Sequence, residues 1–291
     1  MQRALVKVGQ HSLVAAVPST WIKRHRLKKG DRVEFTEVEN KLVVTSSKEL
    51  HERKVTAVLL APTREVAWRV LQPLYTSGYD EIRLTFKDSR ALKHVESLVA
   101  LLIGCEIVET GSDHVVIKSV SKALDEEFET ILRRTFHVFN EMAAVTYEAF
   151  KDHKRFPEVH VLELTINKYT LFLKRLINRT GYKYPHYTYL LVSFLELAAN
   201  QMEYIARFYT FTPSAKTDAV MFKDFQKLQD LIRRTVDLFY QFTPEKFLWI
   251  AEKQPHFKWF TELKQPLLRH YCLSLAEYLV QMARQIEAIH L

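Results

Sequence analysis

The chain has only two cysteines in 291 residues, Cys105 and Cys272, and they share no C-x-x-C spacing. That leaves no disulfide framework and no zinc finger, and it points to a reducing compartment, the cytoplasm. Glycine is scarce as well, at six, and neither G-x-x-x-x-G-K-[ST] nor G-x-G-x-x-G occurs, so a phosphate-cradling nucleotide loop is excluded. The longest apolar run, Leu98 to Cys105, spans eight residues and is too short to cross a bilayer. Near the N-terminus, Ser12 to Val17 is too short for a signal-peptide core, and no membrane insertion is expected. The twelve histidines include no H-E-x-x-H pair. Gly111-Ser112-Asp113-His114 holds three catalytic residue types in a row, but adjacent residues in a strand turn point in different directions, and a nucleophile elbow needs G-x-S-x-G. No enzyme and no cofactor are expected.

What is present is positive charge, unevenly spread. The net charge is +8, and residues 1–50 carry ten Lys/Arg against five Asp/Glu, whereas 51–120 balance at nine against nine. Within the first segment Lys23, Arg24, Arg26, Lys28, Lys29 and Arg32 face only Asp31, which fits a polyanionic partner. A solvated basic helix and turn is the plainer reading of the same cluster.

Residues 3–44 alternate polar and apolar positions in two short runs, Ala4–Val8 and Leu13–Val17, around Gly9-Gln10-His11-Ser12, the pattern of a β-hairpin. Pro18 suits a helix start, with Ser19 or Thr20 as its cap, and Leu27 with Gly30 closes the helix. Asp31–Val38 and Lys41–Thr45 form a second hairpin around Glu39-Asn40. Four short strands bury too little surface for a stable monomer, so a second copy is expected to complete this unit. The residues Arg3, Leu5, Lys7, Gly9, Ser12, Val14, Pro18, Trp21, Lys23, Leu27, Lys29, Gly30, Asp31 and Val33 resemble the AbrB/SpoVT/MraZ family, in its archaeal form with Pro-x-x-Trp before Leu-x-Lys-Gly-Asp. The resemblance implies a dimeric swapped-hairpin β-barrel over 1–48 that binds double-stranded DNA, with Arg3, Lys7, Lys23, Arg24, Arg26, Lys28, Lys29 and Arg32 as the contacting cations.

Residues 51–120 alternate strand and helix patterns in the order βαβαββ, a small α/β linker domain. Val55–Ala61 is a strand, and Thr63 caps a helix kinked by Pro73 and ended by Gly78. Glu81–Phe86 alternates, Ser89 caps a second helix ended by Gly104, and Cys105–Thr110 with Val115–Ser119 make a terminal hairpin. Gly78-Tyr79-Asp80-Glu81-Ile82 and Leu102 to Val108 are similar to the linking domain of the same archaeal regulators.

From Ser121 to 291 the apolar period is 3.6. One helix is expected to run to about Lys151, one to follow Pro157, and one to span Pro185–Phe211. Asp218–Phe242, Pro244 to about Lys253 and Thr261–His290 make a second set of three, so that 121–291 reads as an all-α bundle of two three-helix repeats. Leu195-Glu196-Leu197-Ala198-Ala199-Asn200 with Ile205-Ala206-Arg207, and Glu163 to Asn167, are similar to the Glu-x-x-x-Asp helices of PhoU, the phosphate-signalling regulator; Glu277 to Gln281 stands in the second repeat. That family's metal cluster relies on paired carboxylates, and here Asn167, Asn200 and Gln281 replace the Asp. No metal cluster is expected, and Glu163, Asn167, Glu196 and Asn200 are the residual candidates for a single weak ion.

The reading of the whole is a multidomain α+β, non-enzymatic regulator of phosphate uptake. It couples a DNA-binding homodimeric head to a sensor bundle that docks a phosphate transporter or signalling protein. In the alternative the head only dimerises and the chain is a protein-docking adaptor.

Overall fold

The computed structural model describes residues 2–9, 12–38, 41–46, 52–120, 127–212, 219–252 and 260–291. The protein is mixed α+β, with small N-terminal sheets and a C-terminal helical region. It divides into two units, Met1–Arg53 and Lys54–Leu291.

In the first unit β1 (Leu5–Val8) pairs antiparallel with β2 (Ser12–Ala15), and β3 (Val33–Val38) with β4 (Lys41–Ser46), as two separate two-stranded sheets. Helix α1 (Ser19–Arg24) lies between them in sequence. The Gly9–Ser12 and Glu39–Asn40 turns expected to join the strands fall partly outside the described residues.

The second unit begins with a four-stranded sheet in the order β5-β6-β8-β7. Its strands are β5 (Lys54–Leu59), β6 (Glu81–Phe86), β7 (Cys105–Thr110) and β8 (His114–Ser119). β5 and β6 run parallel because α2 (Arg64–Thr76) crosses between them; α3 (Arg90–Val99) leads to the antiparallel pair. Alternation on β6 buries Ile82, Leu84 and Phe86, while Leu71, Tyr75, Val95 and Leu98 supply the helical side of the core. Thr63 caps α2 by accepting from the Val66 N–H. Ser89 occupies the N-cap of α3, but its side chain makes no cap bond; Asp88 accepts from the Arg90 N–H instead, at 2.9 Å. α3 also stops at Val99 rather than at Gly104, because Leu101, Leu102 and Cys105 turn back onto the carbonyls of Leu98, Val99 and Leu102.

Among the described residues six α-helices follow, all but the nine-residue α8 longer than α2 and α3: α4 (Phe128–Ala149), α5 (Phe156–Thr180), α6 (Pro185–Phe211), α7 (Ala219–Tyr240), α8 (Pro244–Glu252) and α9 (Pro266–His290). The first helix was expected from Ser121, and 121–126 lie outside the described residues; Asp218 and Lys253 do too. α5 starts one residue before Pro157, which sits in its first turn where a missing N–H costs nothing. α9 starts at Pro266 rather than Thr261, since Arg269 Nη2 folds back to donate to the Thr261 and Leu263 carbonyls and holds the preceding segment as a turn.

α6 runs through the centre of the bundle. Its Ala198 and Ala199 are fully buried, and the small side chains let neighbouring helices approach closely. An aromatic cluster of Phe150, Phe156, Tyr209 and Phe225 ties α4, α5, α6 and α7 together, with ring centroids 5.1–5.7 Å apart. The sheet domain is fastened to the bundle at the C-terminal end of α2, whose carbonyls have no partners within their own helix. Arg175 Nη1 donates to the carbonyls of Tyr75 at 2.9 Å and Tyr79 at 2.8 Å, Asn178 Nδ2 donates to Thr76 O at 2.9 Å, and Arg179 pairs with Asp80.

Candidate nucleic-acid interface

Helix α1 opens on Pro18, whose carbonyl accepts from Trp21 N at 2.9 Å and Ile22 N at 3.0 Å. Neither Ser19 nor Thr20 caps it: Pro18 holds the N-cap position, and there is no side-chain cap bond. The helix closes differently from the expected Leu27–Gly30 stop. His25 is the C-cap, Arg26 N–H bonds back to Lys23 O at 3.2 Å, and Leu27 N–H to Ile22 O at 3.0 Å. This is a Schellman closure, and the residue it places in the left-handed conformation is Arg26, at φ 49°. Glycine usually fills that position; a side chain there costs roughly 1–2 kcal/mol. Gly30 takes φ 95° in the next turn, where Asp31 N–H donates to Lys28 O at 3.0 Å and the Asp31 carboxylate accepts from Lys28 N at 2.5 Å.

The single acid of this stretch is thus bound to backbone. Around it Lys23, Arg24, Arg26, Lys28, Lys29 and Arg32 are all exposed, with Lys23 and Arg24 on the last turn of α1. Arg3 and Lys7 are exposed too, but they belong to the other hairpin: Arg3 precedes β1, and Lys7 pairs across from Leu13. The left-handed Arg26 was not legible in the sequence, because nothing in His25-Arg26-Leu27 marks an αL position.

No described residue of the first unit is buried. Leu5 is 64 % exposed, Leu13 63 %, Phe35 56 % and Leu42 63 %. β3 and β4 set Phe35 opposite Val44, and Leu42 beside them on the same face, so the hairpin presents a row of apolar side chains to water.

In the bundle, the residual metal candidates take other partners. Asn167 Nδ2 donates to Glu163, one turn away on α5. Glu196 of α6 accepts from Lys174 Nζ and Thr170 Oγ1, so a lysine ammonium stands beside that carboxylate. Asn200 lies half-buried one turn further along α6. Glu163 faces a residue that the sequence reading missed, Glu203, seven positions beyond Glu196 on the same helical face. His160 Nδ1 is 3.3 Å from Glu203 Oε1 and 3.8 Å from Glu163 Oε2. Burial first, then the neighbouring carboxylates, raises the Glu163 pKa, and burial raises that of Glu203. Among the described residues, no group of three or more His, Cys, Asp or Glu is arranged to hold a metal ion.

The chain matches no family model, no curated protein and no solved structure.

The other chemical candidates resolve locally. Gly111–His114 forms the tight β7–β8 turn, in which Gly111 N–H donates to His114 O at 2.9 Å; a Cβ on Gly111 would meet the His114 ring at 2.4 Å. The His114 ring is held between Asp113 and Glu109, both at 2.8 Å, rather than directed at Ser112. Cys105 and Cys272 are free and buried, and burial pushes the Cys105 thiol up to about 11, far from a reactive thiolate at neutral pH. Among the described residues, no helix is long and apolar enough to cross a membrane.

Proposed function

We propose that the chain is a non-enzymatic, cytoplasmic DNA-binding regulator whose first unit is completed by a second copy as a swapped-hairpin barrel. The observation that carries this reading is the combination found in 1–53: six exposed cations packed into the end of one short helix and its following turn, on a unit with no buried residue of its own. A unit with exposed Leu5, Leu13, Phe35 and Leu42 gains its core by interleaving with a partner, and dimerisation doubles the basic surface. The left-handed Arg26 supports the same reading, since local strain at a charged residue is kept where that residue has work to do. The link to phosphate uptake rests on the resemblance of α5 and α6 to PhoU helices, and with it the description of 121–291 as two three-helix repeats acting as a sensor or docking bundle.

The second reading, a docking adaptor whose head only dimerises, is favoured by one observation. Leu190, Leu197, Tyr204 and Phe211 recur at seven-residue spacing on α6, and all four are exposed, forming an apolar stripe along a central helix.

Gel-shift titration with genomic fragments separates the two. If each chain places three or four of the six cations on phosphates, the dimer neutralises about six to eight, and log affinity falls with log salt at a slope of about −5 to −7. Lys23→Glu with Arg24→Glu weakens all sequences together, because phosphate contacts position rather than specify. Binding indifferent to salt and to these substitutions overturns the DNA reading and leaves the adaptor.

A further inference from the structure

Where α2, α3 and α5 meet, the helices leave a cavity of about 270 Å³ lined by Arg64, Glu65 and Trp68 from α2, Leu98 at the end of α3, Leu101 just beyond it, and Leu164, Asn167, Lys168 and Leu171 from α5. We propose that this cavity is a binding site for a small amphipathic anion, a molecule with a flat apolar body and one acidic group.

The walls set the body. Trp68 contributes an aromatic face, and the four leucines supply apolar surface around it; Leu98 and Leu171 are 1 % and 2 % exposed, while Leu164 at 39 % marks the open edge. Such a mixture of aromatic and branched side chains with a few polar groups at the rim is the usual make-up of a small-molecule site. At about 270 Å³ the volume lies just below the usual range of about 300–1,000 Å³ for such sites, which suits one ring or two fused rings and not a nucleotide.

The rim sets the charge. Arg64 and Lys168 are its cations, and Glu65 is its one acid. Arg64 is steered by a 2.9 Å hydrogen bond from Nη1 to Ser97 Oγ, which fixes the guanidinium against α3. Lys168 has no ion-pair partner among the described residues, and it also lines the adjoining cavity of about 490 Å³ along α3 and β7. An ammonium between two hollows over an apolar floor attracts an anion whose own body is apolar, since the floor removes competing water from one side of the contact.

The position gives the site its consequence. Two walls come from the sheet domain and one from the bundle, so an occupant fills space between α5 and both sheet-domain helices and stabilises their present arrangement. The site stands independently of whether the first unit binds DNA.

Isothermal titration of the full chain with 2-naphthoate, and with the neutral 2-naphthalenemethanol as its uncharged counterpart, tests this. The expected result is one naphthoate per chain, weakened about tenfold or more by Lys168→Glu, while the alcohol's affinity changes less than about twofold. Leu164→Trp, which fills the cavity from its exposed edge, abolishes both. The urea midpoint of each variant reports whether it remains folded. Absence of saturable naphthoate binding overturns the proposal. So does naphthoate binding that survives both substitutions, or a loss on Lys168→Glu equal for the acid and the alcohol.

Discussion

The two units solve the problem of a core in opposite ways. Lys54–Leu291 buries large side chains throughout, among them Tyr75, Phe136, Phe139, Phe156 and Phe225, all below 2 % exposure; Met1–Arg53 buries none among its described residues. The apolar content is not the difference, since β1 to β4 carry Leu5, Val6, Leu13, Phe35 and Leu42. The difference is length and topology: a two-stranded hairpin has no second layer to close against, whereas α5 and α6 each have neighbours on several sides. One unit has its core within the chain, and the other has no buried residue among those described.

The sharpest way to break this comparison is to cut between the units. Each of Leu5, Leu13, Phe35 and Leu42 is worth roughly 1.5–3 kcal/mol when fully buried, so the proposed self-association of the first unit is expected to be the largest effect. Sedimentation equilibrium is expected to find the intact chain dimeric and a 54–291 fragment monomeric. The 1–53 fragment should show a thermal midpoint that climbs with protein concentration. A 54–291 dimer as tight as the intact protein would place the interface elsewhere.

Within the second unit, the fastening of sheet domain to bundle is expected to be intrachain and strong. Arg175 is 3 % exposed, stacks its guanidinium 5.0 Å from the centre of the Tyr75 ring, and donates to the Tyr75 carbonyl at the end of α2 and the Tyr79 carbonyl just beyond it. Arg175→Ala removes the guanidinium from both carbonyls, leaves Tyr75 O with only the Gly78 N–H, and opens a cavity, at a cost of about 3 kcal/mol. Urea unfolding of the full chain followed by far-UV circular dichroism measures it, and the loss should be the same at any protein concentration. A cost under about 1 kcal/mol would show that Asn178 and Arg179 suffice.

Much of this architecture was legible in the sequence, and the failures have particular causes. The βαβαββ order and the span of α6 followed from period and punctuation, because Pro185 and the long run to Phe211 admit one reading. The ends of α3 and α9 did not follow: a backbone turn after Val99 and the folded-back Arg269 are tertiary choices that leave no local mark. The basic cluster was visible as composition, but the conformation of Arg26 was not. In the bundle, Glu163 and Glu196 were picked by resemblance to the Glu-x-x-x-Asp helices of PhoU, one helix at a time, and the structure sets Glu163 near Glu203, a relation that only helix packing creates.

Arg26 offers a smaller test, on the side of the incomplete unit. Glycine takes the left-handed conformation without the crowding that a Cβ brings, so Arg26→Gly is expected to stabilise the dimer by about 1 kcal/mol while weakening DNA binding. Thermal melts at fixed concentration and gel-shift titration read the two effects separately. Arg26→Ala is the control, removing the charge without relieving the backbone. If Gly and Ala variants melt together, the left-handed turn carries no strain.

The smallest expected effect belongs to the complete unit and depends on pH. Glu163 and Glu203 approach one another across α5 and α6, faced by His160, Asn167 and Arg207, with Glu196 and its partner Lys174 beyond. Burial raises both pKa values above the ordinary carboxyl value of 4.5, so the folded protein holds these protons more tightly than the unfolded chain does. The stabilisation is therefore fully present below pH 4.5 and is lost as pH rises through the raised values, with the opposite sign to an ordinary ion-paired carboxylate. Glu203→Gln removes one charge of the pair while keeping its shape. It is expected to raise the urea midpoint at pH 7 and to flatten its decline between pH 5 and 7 relative to the parent. A parent midpoint that climbs from pH 5 to 7 and stays unchanged in Glu203→Gln would show that the two carboxylates are ionised and already satisfied by His160 and Arg207.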